Sequence, residues 1–255
     1  MTHHSDTRAL ILGGTQGLGL AIAQALVAEG CRHIVITGRD GAKGEAAAAS
    51  LGATFLPCDL GDVAQVVATV DTAHAKMGRI TALCVAGAST DRGSVLDTTP
   101  EAWDQMMATN AKGPFFALQR VAQLARAGGH AASVVNILSM VVHCGQSFLA
   151  PYSASKAALA NVTKNAANAL RADRIRVNGI NCGWMDTPGE DSVQRRYHGA
   201  TDGWLAAAEA RQPFGILVKP NHVAGLASYM LGPHSGVMTG SIVDFDQNIS
   251  GAYPE

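Results

Sequence analysis

The feature that most constrains the fold is a short apolar segment joined to a helix by a glycine-rich turn. Residues 8–12, RALIL, have the pattern of a buried strand, and helical spacing of apolar residues begins at Gly17 and continues to Gly30. The turn between them reads GGTQGLG over residues 13–19. The regular structure therefore begins with a strand, a tight turn and a helix.

This pattern repeats along the chain, because further apolar runs predict strands and helical patterns separate them. Strands joined through helices lie parallel, with helices on both faces of the sheet. We therefore predict an α/β fold in which a single domain, residues 1–255, forms a doubly wound parallel sheet. Weak periodicity and several glycines in residues 188–213 predict a mobile segment that covers the substrate. The predicted strands, about seven in all, are residues 8–12, 33–38, 53–57, 80–86, 131–138, 175–180 and 241–245.

The glycines of the first turn recur as G-x-x-x-G-x-G, at Gly13, Gly17 and Gly19. Such spacing lets backbone N–H groups approach a pyrophosphate at a helix N-terminus, where the partial positive charge favours an anion. The chain has 28 glycines, so the spacing alone also fits a plain tight turn. Its position between the first strand and the first helix favours nucleotide binding.

Tyr152 and Lys156 stand four residues apart in an Ala-rich segment that predicts a helix, so they share one face. A free phenol titrates near pH ~10, and an adjacent ammonium lowers that pKa. Ser139, at the end of the fifth predicted strand, would add a hydrogen bond to a substrate oxygen. The same spacing of Tyr and Lys also occurs on ordinary amphipathic helices. A site is favoured because Gly13, Gly87 and Ser139 all fall where ligands bind to open parallel sheets, beyond the strands' carboxyl ends.

Composition excludes several classes of partner. The formal net charge is −1 and no basic run occurs, which argues against nucleic acid and anionic membranes. The longest apolar stretch, residues 131–144, is short and interrupted by polar residues, so we expect no membrane span. The five cysteines have no metal-ligand spacing, which indicates reduced thiols in the cytoplasm and no metal site. For His3 and His4, in a polar leader, we expect disorder rather than metal binding.

Several of these segments together resemble the short-chain dehydrogenase/reductase family over essentially the whole chain. They are the glycine turn, the strand end Val85-Ala86-Gly87, Asn110, Ser139, Tyr152 with Lys156, and RVNGINCG over residues 176–183, in that family's order. The resemblance implies a Rossmann-like fold, hydride transfer with a nicotinamide cofactor, a small-molecule substrate and usually a homotetramer.

The resemblance also implies roles for individual residues. Tyr152 would be the general acid/base, and Lys156 would lower its pKa and hold the nicotinamide ribose. Ser139 would polarise the carbonyl, and Asn110 would hold a water that links Lys156 to solvent; a structural role for Asn110 is the alternative. Asp59 would contact the adenine, or else cap the helix that begins near Asp62. The residues expected to bind the cofactor, besides Tyr152 and Lys156, are Gly13, Thr15, Gln16, Gly17, Leu18, Gly19, Arg39, Asp59, Leu60, Ala86, Gly87, Gly183, Met185 and Thr187.

The sequence departs from the family pattern at positions around the site. Leu12 replaces the usual Thr before the first glycine, which removes a side-chain hydrogen bond that braces the turn. Cys84 and Val85 replace a pair of Asn before Ala-Gly. Cys182 replaces a Pro before Gly183, and residues 246–248 replace a double glycine. None of these changes affects the four positions expected to carry the chemistry.

The choice between NADP and NAD depends on the end of the second strand. Gly38 occupies the place where NAD-users of the family often carry Asp, and Arg39 follows as in many NADP-users. Against this, Gln16 is not the basic residue that many NADP-users carry in the glycine turn, and Asp40 is able to turn inward. We therefore favour NADP and retain NAD as the alternative.

Mixed polar and aromatic residues in the loops over the strand ends favour a sugar or polyol as substrate. The expected contacts are Arg92, Met140, Gln146 and Trp184, and the covering segment adds Glu190, Arg195, Arg196, Tyr197, His198 and Trp204. Two alternatives remain. A 3-oxoacyl-type reductase would need a basic patch for an acidic carrier, and the sequence has no dense one. A non-catalytic nucleotide-binding regulator would not need to retain Asn110, Ser139, Tyr152 and Lys156.

Overall fold

The structure is a computed structural model that describes residues 3–252. Its centre is one sheet of seven strands, each parallel to its neighbours. The strands are β1 Arg8–Leu12, β2 His33–Gly38, β3 Thr54–Pro57, β4 Ala82–Val85, β5 Ala132–Ser139, β6 Ile175–Cys182 and β7 Ile242–Phe245. Their order is β3-β2-β1-β4-β5-β6-β7, so the chain reverses direction across the sheet between β1 and β4. The predicted doubly wound α/β fold is confirmed.

Helices cover both faces of this sheet. The helices are α1 Gly17–Ala28, α2 Gly41–Leu51, α3 Val63–Met77, α4 Pro100–Met107, α5 Gly113–Ala127, α6 Ala150–Leu170, α7 Pro188–His198, α8 Trp204–Glu209 and α9 Pro220–Leu231. On one face α1 packs against α9, and on the other α3 packs against α5, beside α6. The central strands are therefore apolar on both sides, as in other parallel sheets with two covered faces. Leu10 and Leu12 are buried towards α3 and α5, whereas Ile11 and Ile36 are buried towards α1.

The helix expected over residues 100–126 is interrupted. A π-helical turn, Ala108–Lys112, separates α4 from α5 and contains Asn110. Pro114 has no N–H for a bond to the carbonyl of Asn110, so the regular ladder breaks there. Gly113 lets this turn press against the loop after β3, since a Cβ at this position would lie 1.9 Å from the carbonyl oxygen of Leu60. The interruption places Asn110 towards α6 instead of along a regular helix.

The covering segment has more regular structure than its weak periodicity indicated. Two helices, α7 and α8, lie within residues 188–213. Thr187 caps α7 by accepting a hydrogen bond from the backbone N–H of Glu190. The apolar signal is weak because α7 buries little of its surface; Val193 is its buried residue.

The prediction of disorder for His4 is wrong. Its side chain is 1% exposed, and its ring nitrogens lie 2.9 Å from Thr7 Oγ1 and 3.0 Å from Ser228 Oγ. Ser228 also donates to the carboxylate of Glu29. The leader is thereby attached to α1 and α9, through polar contacts that hydrophobic periodicity does not reveal.

No helix in residues 3–252 combines the length and the hydropathy needed to cross a membrane. Within the same residues, no cluster of three or more His, Cys, Asp or Glu side chains is arranged to bind a metal ion.

Candidate active site

A large cleft of about 970 Å³ runs along the carboxyl edge of the sheet. The ends of β1, β2, β4, β5 and β6 open into it, and α7 lies over its outer part. Parallel strands end at the same edge, which is why residues distant in sequence meet here.

The glycine turn forms the closest backbone contacts in this cleft. Gly13 has a φ of 82°, and a Cβ there would lie 2.4 Å from the Cα of Gly87. A Cβ at Gly19 would lie 2.0 Å from the carbonyl oxygen of Gly13. Gln16, the residue before α1, makes no side-chain cap, so the first N–H groups of α1 face the cleft without a capping side chain. This cradle fits the pyrophosphate of a dinucleotide.

Tyr152 and Lys156 lie in the first two turns of α6, beside Ser139 at the end of β5. The ammonium nitrogen of Lys156 is 5.8 Å from the centre of the Tyr152 ring. Lys156 is 3% exposed, and its Nζ donates to the carbonyl oxygen of Ile137 at 2.8 Å. The structure therefore brings a phenol, an ammonium and a hydroxyl to one wall of the cleft.

Burial shifts the pKa values of both Lys156 and Tyr152. Burial lowers the pKa of Lys156 to about 8. Burial also raises the pKa of Tyr152 to about 12, while the Ser139 hydroxyl acts in the opposite direction by hydrogen bonding. Burial therefore sets the direction of the Tyr152 shift, and the lowering of this pKa by Lys156 stays a prediction. At neutral pH the phenol is protonated.

Asn110 lies behind the cleft wall rather than in it. Its side-chain oxygen accepts from Ser89 N and its Nδ2 donates to Ser89 O, both at 2.8 Å. Nδ2 also contacts Ser155 Oγ, which donates to the carbonyl of Tyr152. The amide thus connects the loop after β4 to the first turn of α6. Sequence reasoning missed Ser155, because a Ser two residues before a pair of alanines carries no pattern of its own.

Comparison with known proteins agrees with this geometry. A profile of the family described as enoyl-(acyl carrier protein) reductase matches residues 13–248. The chain is 34% identical to an NADP-dependent (R)-specific alcohol dehydrogenase of Lentilactobacillus kefiri, over 91% of this chain and 92% of that protein. It is 31% identical to galactitol 2-dehydrogenase of Agrobacterium fabrum, over 93% and 95%. A solved structure described as a short-chain dehydrogenase/reductase family protein superposes with a TM-score of 0.83, at 30% identity over 97% and 98% of the chains.

The chain belongs to the short-chain dehydrogenase/reductase family. This confirms the resemblance found in the sequence and, with it, the prediction of an oxidoreductase acting on CH–OH groups.

Most of the residues expected at a short-chain dehydrogenase site line the cleft, and Asn110 does not. Of the residues expected from the covering segment, Glu190 and His198 line it, whereas Arg195, Arg196, Tyr197 and Trp204 do not. The cleft is lined by Ser139, Tyr152 and Lys156, by the expected cofactor residues Gly13, Thr15, Gln16, Gly17, Leu18, Gly19, Arg39, Asp59, Leu60, Ala86, Gly87, Gly183, Met185 and Thr187, and by the expected substrate residues Arg92, Met140, Gln146 and Trp184. Phe148, Glu190, Gln194 and His198 also line it.

Other residues replace the hydrogen bonds lost at the departures from the family pattern. With Leu12 before the first glycine, Thr37 on β2 braces the turn: its hydroxyl accepts from Gly13 N at 3.2 Å. The strand end after Cys84 and Val85 is held by the backbone, since Ala86 N and Gly87 N both donate to the carbonyl of Leu12. The turn is therefore anchored on both sides without the usual side chains.

The end of β2 is basic and has no inward acid. A Cβ at Gly38 would lie 2.7 Å from Thr15 Cγ2, which disfavours a longer side chain there. Asp40 does not turn inward, because its carboxylate caps α2 by accepting from Lys43 N at 3.0 Å. Lys43 Nζ donates to Gln16 Oε1 at 3.1 Å, so a second cation stands beside the glycine turn. Sequence reasoning missed Lys43, because it contacts the glycine turn only through the folding of α2 against that turn.

The outer cleft is closed by contacts between α7 and the loop after β4. Tyr197 donates to Asp91 at 2.8 Å, and Arg92 contacts His198 Nε2 through Nε at 3.2 Å. Arg92 also lies over the Phe148 ring, 5.4 Å from its centre. Asp91, Arg92, Phe148 and His198 line this part of the cleft.

Proposed function

We propose that this protein transfers a hydride between NADP(H) and a small secondary alcohol or ketone, with a sugar or polyol as the preferred substrate. The observation that carries this proposal is that Ser139, Tyr152 and Lys156 share one cleft with the glycine cradle. A non-catalytic nucleotide-binding protein would have no need of a buried ammonium and a phenol beside that cradle.

The residues present fit a nicotinamide dinucleotide. The N-terminus of α1 with Gly13 and Gly17 would hold the pyrophosphate, Asp59 the adenine, and Lys156 the nicotinamide ribose. Thr187 accepts a backbone N–H through its oxygen, so its O–H is available to donate to the carboxamide. When bound, the nicotinamide supplies or accepts the hydride.

In reduction, the chain's own task is to hold the carbonyl and deliver one proton. The Ser139 hydroxyl donates to the substrate oxygen and polarises the carbonyl. Tyr152 Oη gives its proton to that same oxygen, since the phenol is protonated at neutral pH. The Lys156 ammonium favours the phenolate that remains. In oxidation the proton moves in the reverse direction.

NADP is favoured over NAD by the charges near the end of β2. Arg39 and Lys43 are exposed cations on the side where a ribose 2′-phosphate would lie, and Asp40 is held in a helix cap. The relative from Lentilactobacillus kefiri is described as NADP-dependent. Relatives and a solved structure described as ketoacyl reductases support a 3-oxoacyl-type reductase as second candidate.

A screen of polyols, sugars and ketones with NADP(H) and NAD(H), followed at the nicotinamide absorbance, tests the proposal. We expect turnover of at least one hydroxylated substrate and a higher kcat/KM with NADP(H). Turnover restricted to 3-oxoacyl thioesters would favour the second candidate, and no turnover in any combination would contradict both.

We also propose a cytoplasmic homo-oligomer, a tetramer as is usual in the family. Exposed apolar side chains on and before α4 and α5 support it: Leu96 is 98% exposed, Trp103 42% and Phe115 40%. They adjoin α6, whose Ala-rich face permits close approach of a second helix. The free cysteines support a reducing compartment. Light scattering that gives the mass of a monomer would contradict the assembly.

Residues 188–213 are proposed to open and close over the substrate. The contacts Tyr197 to Asp91 and Arg92 to His198 join their first helix to the loop after β4 and would have to break on opening. All four side chains are polar, so water replaces their bonds at little cost. Faster hydrogen exchange in α7 than in α6 would support this motion; equal protection would contradict it.

A further inference from the structure

Glu190 is a carboxylate of the cleft wall that the proposed reaction does not use. It lies in the first turn of α7, and its Oε1 accepts from Trp184 Nε1 at 2.8 Å and from Gln194 Nε2 at 2.7 Å. No ion pair with Glu190 and no hydrogen bond to Oε2 occurs among residues 3–252. Two neutral donors thus fix the carboxylate and leave one oxygen available to a ligand.

Arg92 is its positive counterpart in the same cleft. Three of its five N–H groups are used, one towards Thr90 O at 2.9 Å and two towards His198 Nε2. The remaining two have no acceptor within residues 3–252, and packing over Phe148 restrains the plane of the guanidinium. The two remaining N–H groups of Arg92 therefore have a defined orientation in which to donate to a ligand.

Both charges act near the reacting group. Burial has the largest effect on the pKa of Tyr152, followed by the Ser139 hydroxyl and Cys182; of the charged groups, Glu190 raises this pKa and Arg92 lowers it. A substrate whose carbonyl oxygen contacts Tyr152 would therefore lie within the field of one anion and one cation.

We infer that Glu190 and Arg92 select a neutral substrate that carries at least one hydroxyl besides the reacting group. Glu190 Oε2 accepts from that hydroxyl, and Arg92 donates to a substrate oxygen. A carboxylate or an amine gains no net attraction from this pair, because one of the two charges attracts it and the other repels it. An acyl chain would remove water from both charges without replacing its hydrogen bonds.

This inference rests on the proposed hydride transfer and names its substrate class, so the test uses three ketones of one skeleton. Butan-2-one, 3-hydroxybutan-2-one and 4-hydroxybutan-2-one are reduced with NADPH, and kcat/KM is measured for each. We expect the wild type to prefer at least one hydroxyketone over butan-2-one by about tenfold, as a hydrogen bond to a charged group implies.

Glu190→Met keeps the length of the side chain and removes its acceptors. We expect it to bring the ratio of kcat/KM for the hydroxyketone to kcat/KM for butan-2-one close to one. Any effect of the substitution on proton transfer from Tyr152 acts on both ketones and cancels in this ratio. Asp191→Met is the matched control, since Asp191 is the next residue of α7 but bonds to Trp204 and Arg195 outside the cleft. This control is expected to keep the wild-type preference.

The outcomes separate the two claims. The inference would be overturned if the wild type reduced butan-2-one as efficiently as both hydroxyketones. It would also be overturned if Glu190→Met kept the wild-type preference. Neither result would contradict the hydride transfer. The inference would also be overturned if Asp191→Met lost the preference to the same extent as Glu190→Met. The loss would then arise from a disturbance of α7 rather than from the missing carboxylate of Glu190. If none of the three ketones is reduced, the inference is overturned, whereas the hydride transfer itself is tested by the wider screen of polyols, sugars and ketones.

Discussion

Lys156 Nζ donates a hydrogen bond of 2.8 Å to the carbonyl oxygen of Ile137, two residues before Ser139 on β5. This bond ties the helix that carries Tyr152 to the strand that carries Ser139. It also takes the ammonium out of solvent, and burial lowers the pKa of Lys156 to about 8. The position and the charge of the lysine are therefore coupled to the geometry of the site.

The pH dependence of reduction should follow this lysine. Because Lys156 loses its positive charge as the pH rises through about 8, we expect kcat/KM for ketone reduction to fall above that pH. In Lys156→Arg the cation persists, so the residual activity should extend to higher pH. A profile that is flat to pH ~10, where a free ammonium begins to titrate, or one that is unchanged by the Arg substitution, would contradict this assignment.

Tyr152→Phe should abolish proton transfer and leave the fold intact, because it removes one partly buried hydroxyl. We expect turnover to fall by a factor of about 10²–10⁴. NADPH binding, measured by the fluorescence of the nicotinamide, should stay close to wild type. Comparable turnover in the variant would show that another group delivers the proton.

Gly13→Ala should destabilise the chain and weaken dinucleotide binding. The added Cβ would lie 2.4 Å from the Cα of Gly87, and the φ of 82° is one that alanine adopts only with strain. We expect a loss of about 1–3 kcal/mol in the free energy of unfolding, measured with urea. Gly41→Ala, where a Cβ would meet no atom within 4 Å, is the control and should cost little.

Arg39→Ala should reduce kcat/KM with NADPH by about 10–100-fold and leave that with NADH nearly unchanged, since a charge-assisted bond to phosphate contributes about 1.5–3 kcal/mol. Lys43→Ala should also reduce kcat/KM with NADPH, but by a smaller factor than Arg39→Ala, because Lys43 also bonds to Gln16. Equal losses with both cofactors would show that Arg39 does not read the 2′-phosphate.

His4 should make the stability depend on pH below neutrality. Burial lowers its pKa from 6.5, so the unfolded chain binds a proton more readily than the folded one. The contribution is fully present above pH ~6.5 and is lost as the pH falls below that value. We expect the urea midpoint to fall between pH 7.5 and 5.5 more steeply in wild type than in His4→Gln. If the urea midpoint changed with pH equally in both proteins, a group other than His4 would be responsible for the pH dependence.

Much of the fold followed from local pattern. The apolar runs at β1, β4 and β5 predicted strands because a sheet covered on both faces needs continuous apolar segments. Periodicity was less informative for α7, which buries little of its surface, and for the π turn at residues 108–112, where Pro114 breaks a ladder that apolar spacing suggests is continuous. His4 was misjudged because its burial depends on Ser228 and Glu29, which are distant along the chain.

The sequence by itself determined the parallel α/β fold and the position of the glycine turn, since these depend on local spacing and on the common edge where parallel strands end. The expected roles of Ser139, Tyr152 and Lys156 came from the resemblance to the family. Only the tertiary structure decided that Thr37 braces the first turn, that Lys43 returns to Gln16, that Asn110 holds Ser89, and that Glu190 faces the cleft. Each of these contacts joins residues from different elements. Their distances and burial arise from packing, and packing also sets the pKa values that decide which group carries the proton.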